Sequence, residues 1–418
     1  MRRNGYTIPY PRAGALSELA TEELKRKALH AHRLESNLQS DHSRILGSVT
    51  ETDCKTPESD LKILYIIPGT PLVVLHSRRR GLNVTLWDTD RSVSFNSVSI
   101  DSSLVCQSDT AYEEHGKHTM AVLTVDDDDD NMDKLYVLCC DYSEDPPQLS
   151  ILWERSDDHF VAVSVYKDLL VWVQDDSTTL NVVAVNMKTG ATASGILPEP
   201  DFDSVSLHVH CDHLYIFVPR NTPLGTVFEL PVYHCPASTL PYGKASGQRL
   251  GGLSPVGGYL IDWPGELCGL DWRCVFVISP VRGLLLSLIG NGFVGDGRYR
   301  TAVAYLGAQH CDDAEPCLQF PVDVCTAHAE ESSPLMGSSL SGRHMAIFQR
   351  SGHIGSTCLY LRLLNFDQEL RRPVLREGEV SYPIIESPYS IRSIAFDDCR
   401  GVVLLLNQNG TICSIPYA

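Results

Sequence analysis

Catalytic signatures are what this chain of 418 residues most plainly lacks. It has no Gly-x-Ser-x-Gly elbow and no Gly-x-x-x-x-Gly-Lys-Ser/Thr loop, so neither a strained nucleophilic serine nor a phosphate cradle is available. Gly251-Gly252 and Gly257-Gly258 lie in proline-containing sequence without the strand-to-helix setting of a nucleotide site. No catalytic set, metal site or cofactor is expected, and the chain is read as a non-enzyme. Positive charge is scarce: 34 Lys and Arg against 52 Asp and Glu leave a formal charge of −18. That balance excludes a general nucleic-acid binder and a surface for anionic membranes, both of which need a dominant positive field. Long apolar runs are missing too. The stretch at Leu284–Ile289 is far too short to cross a bilayer. Met1-Arg2-Arg3-Asn4-Gly5 leads into polar, proline-containing sequence instead of the apolar centre of a secretory leader. A cytoplasmic or nuclear, reducing setting is expected. The 14 cysteines then stay thiols, most of them small hydrophobes inside strands, as at Cys139, Cys274, Cys358 and Cys413.

What the chain does have is repetition. An apolar strand, a tight polar turn and a second apolar strand recur seven times. The pairs are Leu72–Leu75 with Val84–Trp87, Ala121–Val125 with Leu135–Cys139, Leu169–Val173 with Val182–Val185, and Leu214–Val218 with Val227–Leu230. Leu284–Ile289 with Thr301–Leu306, Met345–Phe348 with Cys358–Leu364, and Val402–Leu406 with Thr411–Ile415 complete the set. Radial repetition is one of the few ways to protect so many sheet edges, so the spacing predicts an all-β chain folded as a seven-bladed β-propeller over 41–418. An inner strand precedes most pairs: Ile63–Ile67, Phe160–Val165, Val205–Cys211, Cys274–Ile278 and Ile391–Phe396. In the second and sixth units the inner strand has no clear place in the sequence. The intervals 231–270 and 307–342 exceed ordinary loops and must hold further strands.

Residues 1–40 read as a loose arm followed by one helix, Thr21–Leu38. Thr21 is expected at the N-cap, with Glu22 and Glu23 at the positive end of the helix dipole. Leu24, Ala28, Ala31, Leu34 and Leu38 make one apolar stripe that must dock. Propellers commonly close by pairing an N-terminal strand with the last blade. Residues 44–49, with Ile45–Val49 at their centre, are the expected closing strand.

Two clusters invite a zinc reading. His208-Val209-His210-Cys211-Asp212-His213 matches the H-x-H-x-D-H of metallo-β-lactamase-fold hydrolases, where a helix follows the motif. Here Val205, Leu207, Val209 and Cys211 alternate onto one strand face, and Leu214–Val218 continues as strand, so an inner blade strand explains the same letters. Cys311, Cys317, Cys325 and His328 do not have knuckle spacing. The five aspartates Asp126–Asp130 lack the turn glycine and closing Glu of a calcium loop and read as a solvated run.

The turns that join the repeated strands differ sharply in charge. Arg78, Arg79 and Arg80 occupy the first, Asp126, Asp127 and Asp128 the second, and Asp175 with Asp176 the third. Arg220 falls in the fourth, and Arg350 with His353 in the sixth. In a ring these turns share one face, divided into acidic and basic sectors that suit a protein or peptide partner. A monomer is expected.

Leu24–Leu38, reading Leu-Lys-Arg-Lys-Ala-Leu-His-Ala-His-Arg-Leu-Glu-Ser-Asn-Leu, resembles the linker helix of a group of fungal F-box proteins. Ile66-Ile67-Pro68-Gly69, Leu86-Trp87-Asp88, Ser393-Ile394-Ala395-Phe396-Asp397 and Gly410-Thr411-Ile412 extend the similarity. The chain departs from that pattern at Leu38, where the family has tryptophan, and the F-box itself is absent from it. The resemblance implies a WD40-like propeller acting as the substrate-recognition part of a ubiquitin-ligase adaptor, with ligase components as partners if a box lies upstream. The alternative is a metal-dependent propeller hydrolase, with His208, His210 and Asp397 as its ligands in a central channel.

Overall fold

Short β-branched and aliphatic runs broken by polar turns favour narrow antiparallel sheets, and these dominate the computed structural model. It describes residues 19–38, 40, 44–54, 61–77, 82–100, 104–108, 112–114, 116–125, 133–157, 159–175, 179–197 and 391–417. Between 205 and 376 it describes residue 205 and the strands named below. The chain divides into two compact units, Met1–Arg79 with Asn83–Ser97 and Leu270–Ala418, and Arg80–Leu82 with Val98–Gly269.

The first sheet, whose residues belong to the first unit except Leu82 and 98–100, runs in chain order through Lys62–Ile66, Leu72–Ser77, Leu82–Asp88 and Val93–Ile100. The fifth sheet has Asp271–Ser279, Gly283–Phe293 and Arg298–Gly307, and both Cys317–Leu318 and Val322–His328 pair with the last of these. The sixth is Leu335–Ser338, His344–Arg350, Leu359–Asp367 and Arg372–Arg376. The seventh takes Ile391–Asp397, Val402–Asn407 and Thr411–Pro416 from the C-terminal side and its outer strand, Thr50–Asp53, from the N-terminal side.

The second unit holds three sheets. The second sheet has Lys117–Val125, Asp133–Asp141 and Gln148–Asp157, with Leu104–Ser108 and Tyr112–Glu114 both pairing to the first of these. The third is Phe160–Tyr166, Leu169–Asp175, Leu180–Asn186 and Thr192–Leu197, extended by Gln248–Gly252. The fourth is Ser206–His210, His213–Thr222, Gly225–His234 and Pro255–Asp262. All seven repeated pairs therefore form adjacent strands, in small up-and-down sheets of propeller-like form. Three sheets carry a fifth strand, so the strand count departs from uniform four-stranded blades.

Each unit buries aliphatic side chains between successive sheets. Val171, Val173, Leu207, Val209 and Ile216 join the third sheet to the fourth. Trp172, fully buried, lies with Leu123, Val137 and Val163 between the second and third. In the first unit, Val73, Leu75 and Trp87 pack with Leu404, Leu406 and Ile412. A buried side chain of this size contributes about 1.5–3 kcal/mol, so these stripes are what hold neighbouring sheets face to face.

The helix spans Thr21–Leu38, as its periodicity requires. Its first bond runs from Leu24 N to Ala20 O at 3.0 Å, which puts Ala20, not Thr21, at the N-cap. Ala31, Leu34 and Leu38 are buried, the last two against Phe396, Val403 and Ile415 of the seventh sheet and Tyr417 just after it. Leu24 and Ala28 are only half-buried. Asn37 fixes the dock: its Nδ2 donates to Tyr417 O and to Arg44 O, both at 2.7 Å, and its Oδ1 accepts from Arg44 N at 2.9 Å.

The N-terminal strand that pairs with the seventh sheet lies later in the chain than 44–49. Residues 44–49 form no strand, although Ile45 and Val49 pack on the core and Leu46 N donates to Pro416 O at 3.0 Å. Thr50–Asp53 makes the ladder, with Thr50 opposite Ser414 and Asp53 opposite Thr411. The apolar residues of 44–49 serve the helix–sheet core, while the polar Thr50–Asp53 suits a sheet edge.

Candidate functional site

Of the charged residues singled out from the sequence, Asp175, Arg220 and Arg350 fall in described strands. Arg78, Arg79 and Arg80 lie outside the described residues, between the register partners Ser77 and Asn83. Asp126, Asp127 and Asp128 also lie outside them, between Val125 and its partner Asp133. Asp176 and His353 are likewise not described. Asp175 is half-buried and ends its strand opposite Leu180, so it belongs to the ladder and not to the turn. Arg220 and Arg350 likewise stand in ladders and not in turns. Arg220 sits within His213–Thr222, opposite Val227, and Arg350 closes His344–Arg350, opposite Leu359.

The pairing with Ser206–His210 stops at Phe217 and leaves Pro219 in a stretch bonded to one neighbour among the described strands. A missing N–H is tolerated there.

His208 lies in the strand Ser206–His210, with Leu207 and Val209 buried on one face and His208 buried as well, 2% exposed. Val209 N donates to Ser164 Oγ at 3.0 Å across to the third sheet. The next element is the strand His213–Thr222, where the metallohydrolase motif has its helix. Asp397 belongs to the first unit, whereas His208 and His210 belong to the second.

The best-defined polar constellation surrounds Asp397. It ends its strand and caps the following turn, its Oδ1 accepting from Cys399 N at 3.0 Å and Arg400 N at 3.2 Å. The turn closes at Gly401, whose φ of 68° is left-handed. Two other strand ends use the same device. Asp88 Oδ1 accepts from Asp90 N and Arg91 N, both at 2.9 Å, before Ser92 at φ 55°. Asn186 Oδ1 accepts from Lys188 N and Thr189 N, both at 3.0 Å, before Gly190 at φ 71°. An Asp or Asn followed four residues on by a left-handed residue was the signal present in the sequence and missed.

Asp397 also reaches the first sheet. Gly69 N donates to its Oδ2 at 3.0 Å and to its Oδ1 at 3.2 Å. Arg400 donates to Thr70 O at 3.2 Å and to Asp90 Oδ1 at 2.7 Å. Thr89 N and Thr89 Oγ1 both donate to Pro71 O at 3.0 Å, and Thr52 Oγ1 donates to Thr89 O at 3.1 Å. The first and last sheets are thus tied by a polar knot that includes the closing strand. Burial pushes the Asp397 carboxyl up to about 7; Arg400 opposes this, Asp398 adds to it, and the amides of Gly69 and Arg400 pull it back.

Ligand atoms of Asp397, Asp398 and Cys399 lie within 4.8 Å of one another, a spacing that would admit a small cation. Asp397 Oδ1 already meets three amides, and the Arg400 guanidinium beside it supplies the positive charge, so the arrangement acts as a turn cap. Elsewhere burial pushes the Cys54 thiol up to about 12, as befits a core cysteine and not a nucleophile. No described helix is long and apolar enough to cross a membrane.

No family model matches the chain, and no curated protein matches it either. Solved structures do. The β-propeller domain of Cps50 (Swd1) from Myceliophteria thermophila is similar at 12% identity and a TM-score of 0.45, over 87% of this chain and 99% of that one. Hydrazine synthase of Kuenenia stuttgartiensis is similar at 11% identity and a TM-score of 0.47, over 83% and 92%. U3-55K is similar at 11% identity and a TM-score of 0.44, over 86% and 100%.

Proposed function

We propose that the seven sheets are the blades of one WD40-like ring that binds a protein or peptide partner and catalyses no reaction. The observation that supports this is the seventh sheet, whose outer strand Thr50–Asp53 comes from the opposite end of the chain and whose turn is knotted to the first sheet through Asp397 and Arg400. A ring closed by both ends is a rigid platform. Its middle hairpins carry Arg78, Arg79 and Arg80 in one blade and Asp126, Asp127 and Asp128 in the next, a pattern that orients a partner of complementary charge. The docked helix braces the platform and leads N-terminally, which fits the recognition part of an F-box adaptor, acting as a monomer in the cytoplasm or nucleus.

The test reverses Arg78, Arg79 and Arg80 to Glu and compares captured proteins quantitatively with those of the unaltered chain. The reading expects a defined set to be lost while the thermal midpoint moves by no more than about 2–4 °C, the shift of a surface change. An unchanged set removes the face from consideration.

A further inference from the structure

The third sheet has an unusual edge. Its outer strand, Thr192–Leu197, is covered by Gln248–Gly252, which arrives from the long segment between two strands of the fourth sheet and pairs in parallel. All the other strand pairings described are antiparallel, as up-and-down sheets require. The added strand is short. Its register comprises Ala193 with Gln248, Ser194 with Arg249 and Ile196 with Gly252, and it carries an extra residue before the last pair. Parallel pairing is slightly the weaker kind, and Gly251-Gly252 lowers strand propensity further. Ile196 faces Gly252 in register, which has no side chain to cover it, and remains 41% exposed.

An edge filled by a short, weakly paired segment of the same chain is the arrangement of a tethered stand-in. We infer that Thr192–Leu197 is a strand-addition site for an extended partner peptide, which displaces Gln248–Gly252 and pairs parallel to the edge. Main-chain bonds supply the affinity, and an aliphatic β-branched residue opposite Ile196 supplies the preference that Gly252 leaves unmet. The inference does not depend on the charged hairpins: it concerns an outer edge, and reversing Arg78, Arg79 and Arg80 leaves it intact.

The test opens the edge by replacing residues 248–252 with Gly-Pro-Gly-Pro-Gly, since proline cannot donate to a ladder. The probe is a labelled peptide of the chain's own residues 246–254, followed by fluorescence anisotropy. The opened chain binds it, and the unaltered chain binds it at least about tenfold more weakly, because the tethered segment competes at high effective concentration. A peptide carrying Gly252→Val binds the opened chain about threefold more tightly. A folded, opened chain that ignores both peptides overturns the inference. Should the opened chain not fold, hydrogen exchange on the unaltered protein decides. Amides of 248–252 exchanging at least about tenfold faster than those of 180–186 support displacement, and equal protection contradicts it.

Discussion

Replacing Asp397 by Asn tests how the first and last sheets are tied. The side chain is 3% exposed, and burial raises its pKa from 3.8 to about 7 in the folded chain. Between these values the folded state keeps a proton that the unfolded state has lost, so stability falls as pH rises through that window. Each pH unit is worth about 1.4 kcal/mol, and the interval from about pH 5 to pH 7 is therefore worth roughly 2–3 kcal/mol. Asn keeps an Oδ1 for the amides of Cys399 and Arg400 but loses the Oδ2 that accepts from Gly69 at 3.0 Å, a deficit of about 1 kcal/mol. Urea midpoints across this range should show the variant less stable than wild type near pH 5 and equal to it or more stable near pH 8. A constant gap, or one that widens in favour of wild type as pH rises, would mean that Arg400 and the amides hold Asp397 ionised, and would refute the reasoning.

Leu38→Ala removes a side chain that is 1% exposed between the helix and the seventh sheet, and should cost about 2–4 kcal/mol in chemical denaturation. Asn37→Ala at the neighbouring position leaves Tyr417 O without its side-chain donor, and should lower the unfolding free energy by about 1–2 kcal/mol in the same assay. Gly337→Ala would place a Cβ 3.0 Å from Ile394 O and 3.1 Å from Ala395 Cα, both backbone, and should destabilise by about 1–3 kcal/mol in the same assay.

The repeated strand pairs were legible because alternation and tight polar turns are local properties. The pair Leu169–Val173 and Val182–Val185 sits inside Leu169–Asp175 and Leu180–Asn186 without adjustment. The inner strands of the second and sixth sheets were not. Leu104–Ser108 and Leu335–Ser338 are short and half polar, and the latter uses Gly337 to approach the strand Ile391–Asp397. Gln248–Gly252 was invisible for a different reason: its strand character comes from a neighbouring edge and not from its own Gly-rich residues. Glu35, only 3% exposed on the docking face of the helix, shows the limit of apolar periodicity, which cannot tell which polar residues a core admits. Of the candidate site, charge type was readable. Whether Arg220 and Arg350 stood in turns or ladders was not, because pairing beyond a proline or a glycine depends on the partner strand.

Closure of the seventh sheet by the N-terminal strand carries the whole account, and a cross-link measures it directly. Thr50 and Ser414 are register partners, within the reach of a disulfide in an antiparallel pair. Thr50→Cys with Ser414→Cys should oxidise within single molecules, and peptide mapping should recover the 50–414 linkage despite the native thiols. Linkage that appears only between molecules, or not at all in a folded chain, would contradict the closure and the platform built on it.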